Sequence, residues 1–153
     1  MPVTREFRVL LSDPEATKVL SFVHPPRGVH SIVVRSVTYP YFLPATGEAG
    51  ELLVSCEIPG TPRALTCPHT LITDDGETFN YTSCCSFTNG FLFATFNYPW
   101  EHVPLLQIAY PAIMPQLHID IRYKPTDGSA RVFLPVIPNS FVTVELEICA
   151  DSW

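Results

Sequence analysis

The chain has 153 residues, of which 46% are hydrophobic and only 16% are charged, and its net charge at pH 7 is -6. This length is typical of one domain with a substantial core, and the composition is too apolar for a disordered chain. The acidic balance argues against a phosphate-binding surface, which needs clustered Lys and Arg side chains. We therefore expect a single domain over residues 1–153 with no specific nucleic-acid partner.

Short segments that alternate apolar and polar residues, or that are rich in β-branched and aromatic side chains, recur along the chain. Sixteen prolines leave little room for long helices. The pattern predicts strands at 5–11, 18–23, 29–38, 51–57, 69–73, 78–83, 90–97, 104–109, 116–123, 130–134 and 141–148.

Turn-forming residues such as Pro59-Gly60 and Asn89-Gly90 separate the predicted strands, and no helical segments alternate with them. This organisation predicts an all-β fold, an antiparallel β-sandwich, and most specifically a single jelly roll. An immunoglobulin-like sandwich is the alternative, and the absence of its Cys-Trp-Cys pattern weakens it.

The stretch QLHIDIRYKPTDGSARVFLPV, residues 116–136, predicts a β-hairpin with a turn near Gly128. His118, Asp120 and Arg122 fall on one face of its first strand, where a metal-binding set of two histidines and a carboxylate could begin. We favour a solvent-facing row instead, because the alternate positions already supply the core side: Leu117, Ile119, Ile121 and Tyr123.

Other catalytic or metal-binding patterns are missing from the sequence. There is no Gly-x-Ser-x-Gly motif and no glycine-rich phosphate loop. The spacing of the possible zinc ligands does not match a structural zinc site: Cys56, Cys67, His69, Cys84 and Cys85. We therefore expect no enzymatic activity, no catalytic residue, no bound metal and no cofactor.

Five cysteines, the four above and Cys149, follow no spacing of a secreted disulfide-bonded domain. No apolar run approaches the roughly 20 residues of a membrane helix, and the first residues do not resemble a secretory signal. We expect free thiols, a reducing host compartment such as the cytoplasm or nucleus, and no membrane span.

The low charged fraction also predicts that part of the surface is covered by other protein. Large aromatic side chains in segments that read as loops are the candidates for such an interface. They are Tyr39, Tyr41, Phe42, Tyr98, Trp100, Tyr110 and Trp153.

Three segments resemble the single jelly-roll minor capsid, or penton, proteins of double-jelly-roll DNA viruses, a group that includes polinton-like viruses, virophages and adomavirus-like or adintovirus-like agents. FRVLL at 7–11 resembles their first strand, and RGVHSIVVRSVTYP at 27–40 resembles a turn and strand that end in Tyr-Pro. The third element is similar to LHIDIRYKPTDGSARVF followed by FVTVELEI. The resemblance implies a virion protein that closes icosahedral vertices as a homopentamer and contacts the major capsid protein, without a catalytic residue.

Two other classes of function remain open at this point. A binding module, either a lectin-like or a trimeric cytokine-like jelly roll, would engage a glycan or receptor through its loops. A cupin-type metal enzyme is the third possibility, and it would contain stoichiometric metal.

Overall fold

The computed structural model describes residues 1–12, 17–40, 49–62, 66–72, 76, 78–88, 93–97, 106–125 and 141–153. In this part of the chain every regular element is a β-strand. The strands are β1 (Val3–Ser12), β2 (Thr17–Ser21), β3 (Arg27–Pro40), β4 (Ala49–Glu57), β5 (His69–Ile72), β6 (Thr78–Tyr81), β7 (Ser83–Thr88), β8 (Phe93–Asn97), β9 (Leu106–Ile113), β10 (Gln116–Pro125) and β11 (Phe141–Ser152).

The strands form two large antiparallel sheets and one small hairpin. The five-stranded sheet has the order β1-β11-β3-β8, and β9 pairs with another part of β3. The four-stranded sheet has the order β2-β10-β4-β7, and β5 pairs with β6. The all-β fold and the antiparallel β-sandwich predicted from the sequence are therefore confirmed.

The core lies between the two large sheets, and period-2 alternation fills it. On β11, Val144, Leu146, Ile148 and Ala150 are buried while the residues between them are partly exposed. The four-stranded sheet faces them with side chains of β4 and β10. The main cluster consists of Val9, Leu11, Val29, Ile32, Val34, Val37, Val54, Cys56, Ile58, Met114, Leu117, Ile119, Ile121, Val144, Leu146, Ile148 and Ala150.

Several strand predictions were wrong in their boundaries; the strand predicted at 141–148, for example, runs on as β11 to Ser152. The strand predicted at 78–83 ends at Tyr81, and a separate strand β7 begins at Ser83. The break falls at Thr82, whose backbone N–H leaves the β5–β6 ladder and donates to the carbonyl oxygen of Val54 at 2.8 Å. The strand predicted at 104–109 runs on as β9 to Ile113 and includes a proline, which an edge strand tolerates because it needs fewer backbone donors.

Strand β10 has strand partners far away in the chain. Its residues pair with β2 from Gln116 to Asp120 and with β4 from His118 to Pro125. The predicted return strand at 130–134 lies outside the described residues, so the hairpin over 116–136 remains a prediction.

The β5–β6 hairpin packs on the outer face of the four-stranded sheet, next to β4. As a result, side chains of β4 are buried on both faces of this sheet. Leu53 points away from the sandwich core and is still only 1% exposed. On the same outer face, Arg122 lies over the ring of Phe79 on β6, with 5.4 Å between the guanidinium carbon and the ring centroid. The segment between β4 and β7 therefore adds a partial third layer over the four-stranded sheet.

Candidate functional site

The polar face of β10 is the first candidate site. Leu117, Ile119 and Ile121 are buried, as the sequence predicts, while His118, Asp120 and Arg122 are partly exposed on the other face. Arg122 Nη2 donates to Asp120 Oδ2 at 3.0 Å, and Thr17 Oγ1 on β2 donates to the other carboxylate oxygen at 3.4 Å. The row is thus a set of cross-strand and same-strand polar contacts.

The electrostatics of this face follow from its partial burial. Desolvation raises the pKa of Asp120, and the Arg122 guanidinium opposes that rise. Within the described ranges, no group of three or more His, Cys, Asp or Glu side chains is arranged to hold a metal ion.

The cysteines were a second candidate. Cys56 and Cys67 are buried free thiols, and Cys149 is a partly exposed free thiol. Burial, together with the nearby Cys67 sulfur, raises the pKa of Cys56 to about 12, so the Cys56 thiol stays protonated and unreactive at neutral pH. The side chains of Cys84 and Cys85 on β7 lie outside the described part of the structure.

Thr82 is at the centre of a buried polar cluster around these thiols. Its Oγ1 accepts a hydrogen bond from the backbone N–H of Cys56 at 2.8 Å and donates to the carbonyl oxygen of Thr66 at 2.7 Å. Ser55 Oγ lies 3.2 Å from Cys67 Sγ. Because Thr82, Thr66 and Cys67 are nearly fully buried, these contacts fix the β5–β6 segment to β4.

A cluster of aromatic side chains lies between the edge strands β1 and β2. The ring centroids of Phe7 and Phe22 are 5.3 Å apart, and those of Phe7 and Trp153 are 5.5 Å apart. Trp153 Nε1 donates to the carbonyl oxygen of Val3 at 3.0 Å, and the Arg5 guanidinium lies over the Trp153 ring at 5.0 Å. The aromatic cluster closes one side of the sandwich.

Two of the seven predicted interface residues have described side chains. Tyr110 and Trp153 are partly exposed and pack against the core. Tyr110 lies on strand β9, and Tyr39 lies on β3 with its side chain outside the described part, so neither belongs to a loop as the sequence suggested. Four predicted residues lie outside the described residues: Tyr41, Phe42, Tyr98 and Trp100.

Exposed apolar side chains concentrate on the β1–β2 side of the sandwich. Val3 and Leu10 on β1 are 48% and 44% exposed, Val19 on β2 is 43% exposed, and Val23 just after β2 is 90% exposed. Sequence reasoning missed these residues and the Phe7–Phe22 contact, because alternation identifies which side chains face inward but not which strands form a sheet edge. Ile72 on β5 and Ile113 on β9 are also exposed, but in the described part of the chain the β1–β2 side has the largest group of such residues and is suited to protein contact.

An open cleft of about 310 Å³ crosses the outer face of the five-stranded sheet. Its charged lining consists of Glu6, Arg8, Arg35, Glu145 and Glu147. Arg8 pairs with Glu145 at 3.0 Å and Arg35 pairs with Glu147 at 2.8 Å, so both guanidinium groups are neutralised within the chain. The cleft therefore offers no unpaired cation for an anionic ligand.

Comparison with known proteins adds no identification, since the chain matches no family model and no curated protein sequence. In the described part of the chain, no helix is long and apolar enough to cross a membrane.

Proposed function

We propose that this chain is a structural protein of a viral shell, a single jelly roll that closes icosahedral vertices as a homopentamer. In this proposal its partners are other copies of itself and a major capsid protein. It acts in the virion after assembly in a reducing host compartment, and it is not an enzyme.

The strand pairing is the observation that carries the proposal. A jelly roll is a long antiparallel hairpin rolled into two sheets, so that its first strand pairs with its last and its second with the next to last. Here β1 pairs with β11, β2 with β10, β3 with β8 and β9, and β4 with β7. The β5–β6 hairpin is then an insertion between the fourth and fifth strands of the roll.

The segments that resemble penton proteins also support the proposal by their positions. The segment 27–40 coincides with β3, the segment 7–11 lies on β1, and FVTVELEI lies on β11. These three strands are neighbours in the order β1-β11-β3 of one sheet. LHIDIRYK, the first part of the third resembling element, lies on β10 of the other sheet, so the resembling segments belong to both sheets of the sandwich.

The chemistry of the described residues agrees with a structural role. The partly exposed charged residues of the five-stranded sheet pair with each other, as in the Arg8–Glu145 and Arg35–Glu147 contacts. Tyr110, a predicted interface residue, lies on β9, on the side of β3 away from β1 and β11. We assign β9 and Tyr110 to the lateral contact between neighbouring subunits of the ring.

Imaging and mass measurement of the purified protein at micromolar concentration test the proposal. A five-fold ring is expected; a stable monomer with glycan affinity would overturn the proposal in favour of a binding module. A three-fold ring would refute the pentamer and favour either a cytokine-like module or a different capsid role, and stoichiometric bound metal would favour the cupin-type enzyme.

A pair of variants tests the assigned lateral contact. Ala109 is exposed beside Tyr110 on β9, so Ala109→Arg should block ring assembly without disturbing the core. Thr70→Arg, at an exposed position on the β5–β6 hairpin, is the matched control and should leave ring assembly unchanged.

A further inference from the structure

Strand β1 forms an outer edge of the five-stranded sheet. It pairs with β11 along its full length, Val3 to Ser12, and no other described strand pairs with it. One row of its backbone N–H and C=O groups therefore has no strand partner among the described residues. An edge of ten residues that is not blunted by a proline or a bulge is a ready template for another strand.

The side chains of β1 make this edge complementary to itself. In an antiparallel pair of two β1 strands related by a two-fold axis at Phe7, each Glu6 lies opposite Arg8 of the other copy. Glu6 and Arg8 are both exposed on the outer face of the sheet, so the two charges meet on the same side. Such a pairing matches nine residues of each strand, from Val3 to Leu11.

Neighbouring registers are less favourable. With the two-fold axis at Glu6, two carboxylates lie opposite each other, and with the axis at Arg8, two guanidinium groups do. Both registers are unfavourable because like charges directly opposite each other destabilise a sheet. Within its own sheet Glu6 lies opposite Glu147, another carboxylate. Arg8 of a second copy pairs with Glu145 of its own chain, but its side chain is 69% exposed and can contact a second carboxylate. It would therefore bring Glu6 a cation that the cross-strand partner of Glu6, Glu147, does not supply.

The apolar side chains at this edge agree with the same contact. Val3 and Leu10 are about half exposed on β1, and Val19 is similarly exposed on β2 at the same side of the sandwich. Phe7, at the axis, belongs to the aromatic cluster with Phe22 and Trp153. Pairing of the edges would bring the two aromatic clusters together and remove this apolar side from water.

We propose that β1 binds β1 of a second copy of this chain, in antiparallel register centred on Phe7, to form a two-fold dimer with one continuous sheet. This contact goes beyond the proposed ring, because ring closure joins two different surfaces whereas the β1 contact joins a surface to itself. The two contacts are at opposite sides of the five-stranded sheet and can exist together.

Charge reversal at Glu6 and Arg8 tests the contact by sedimentation equilibrium at micromolar protein. Glu6→Arg places a cation opposite Glu147 in its own sheet, which favours the fold, but it opposes Arg8 of the second copy. Arg8→Glu opposes Glu6 of the second copy, but it also removes the ion pair with Glu145 and places a carboxylate opposite Glu145 in its own sheet, so this variant is compared only after circular dichroism has shown that it is folded. Each variant should weaken dimerisation about tenfold or more, since two attractive pairs become two repulsive ones.

A mixture of the two variants gives the decisive result. In a mixed dimer the charges at positions 6 and 8 of one strand face opposite charges on the other, so Glu6→Arg and Arg8→Glu chains should associate with each other although neither associates with itself. Arg27→Glu, at an exposed position at the start of β3, is the matched control and should dimerise like the wild type. Circular dichroism checks that each variant is folded.

A monomeric wild type at 100-fold higher concentration, variants that dimerise normally, or a mixture that does not associate would each overturn the β1 contact. Its failure differs from failure of the proposed function. Five-fold rings without two-fold pairs would support the proposed ring and refute the β1 contact. Two-fold dimers that never form rings would support the β1 contact and refute the proposed ring.

Discussion

The buried hydroxyl of Thr82 gives the most direct test of how the β5–β6 segment is held on the sandwich. Thr82 is 2% exposed, and its Oγ1 is both the acceptor for the Cys56 N–H and the donor to the Thr66 carbonyl. Thr82→Val keeps the size and branching of the side chain and removes both hydrogen bonds. The backbone N–H of Cys56 and the carbonyl of Thr66 are then buried without these partners.

The expected cost follows from those two groups. Each buried polar group that loses its partner costs about 1–3 kcal/mol, so the free energy of unfolding should fall by about 2–6 kcal/mol. Urea unfolding followed by circular dichroism measures this loss. For a slope of about 2 kcal/mol/M, the midpoint should fall by about 1–3 M while the slope stays unchanged.

Thr70→Val is the matched control on the same hairpin. Thr70 is exposed, and its Oγ1 donates to Asn80 Oδ1 at 3.0 Å. Water replaces this bond, so the free energy of unfolding should change by no more than about 0.5 kcal/mol. A loss below about 1 kcal/mol for Thr82→Val, or equal losses for both variants, would refute the reasoning that the buried cluster fixes the hairpin.

Four further predictions concern individual residues. Gly28 has a φ of 66° and an added Cβ would meet the Asp151 carboxylate, so Gly28→Ala should lower the free energy of unfolding by about 1–3 kcal/mol, as measured by urea unfolding. Alkylation at pH 8 followed by mass spectrometry should label Cys149 in the folded chain and Cys56 only after unfolding; equal labelling would contradict the burial. Because the pKa of Cys56 rises from 9.0 to about 12 on folding, this thiol should also make stability fall as the pH increases from 9.0 to 12. Burial raises the pKa of Asp120 above 3.8, so its contribution to stability is lost as the pH increases past 3.8, and Asp120→Asn should show a smaller loss in urea unfolding over that range.

The inward and outward faces of the strands could be predicted from the sequence because side-chain alternation is local. Strand β10 is the clearest example: Leu117, Ile119 and Ile121 are buried and His118 and Asp120 are partly exposed, as their spacing predicts. The same alternation predicts the buried face of β11. Absence of helical periodicity, together with the prolines, likewise predicted the all-β class.

The sequence by itself therefore determined the fold class, the faces of strands such as β10 and β11, and the approximate positions of most strands, but not β7 as a separate strand. Only the tertiary structure decided which strands are neighbours, because backbone pairing carries little residue-specific information and contacts join distant segments. The Trp153 indole meets the Val3 carbonyl across 150 positions of sequence, and the Thr82 hydroxyl meets the Cys56 backbone across 26. The position of β1 at the edge of the described sheet, on which the proposed two-fold contact depends, is likewise a consequence of sheet order and of no local pattern in the chain.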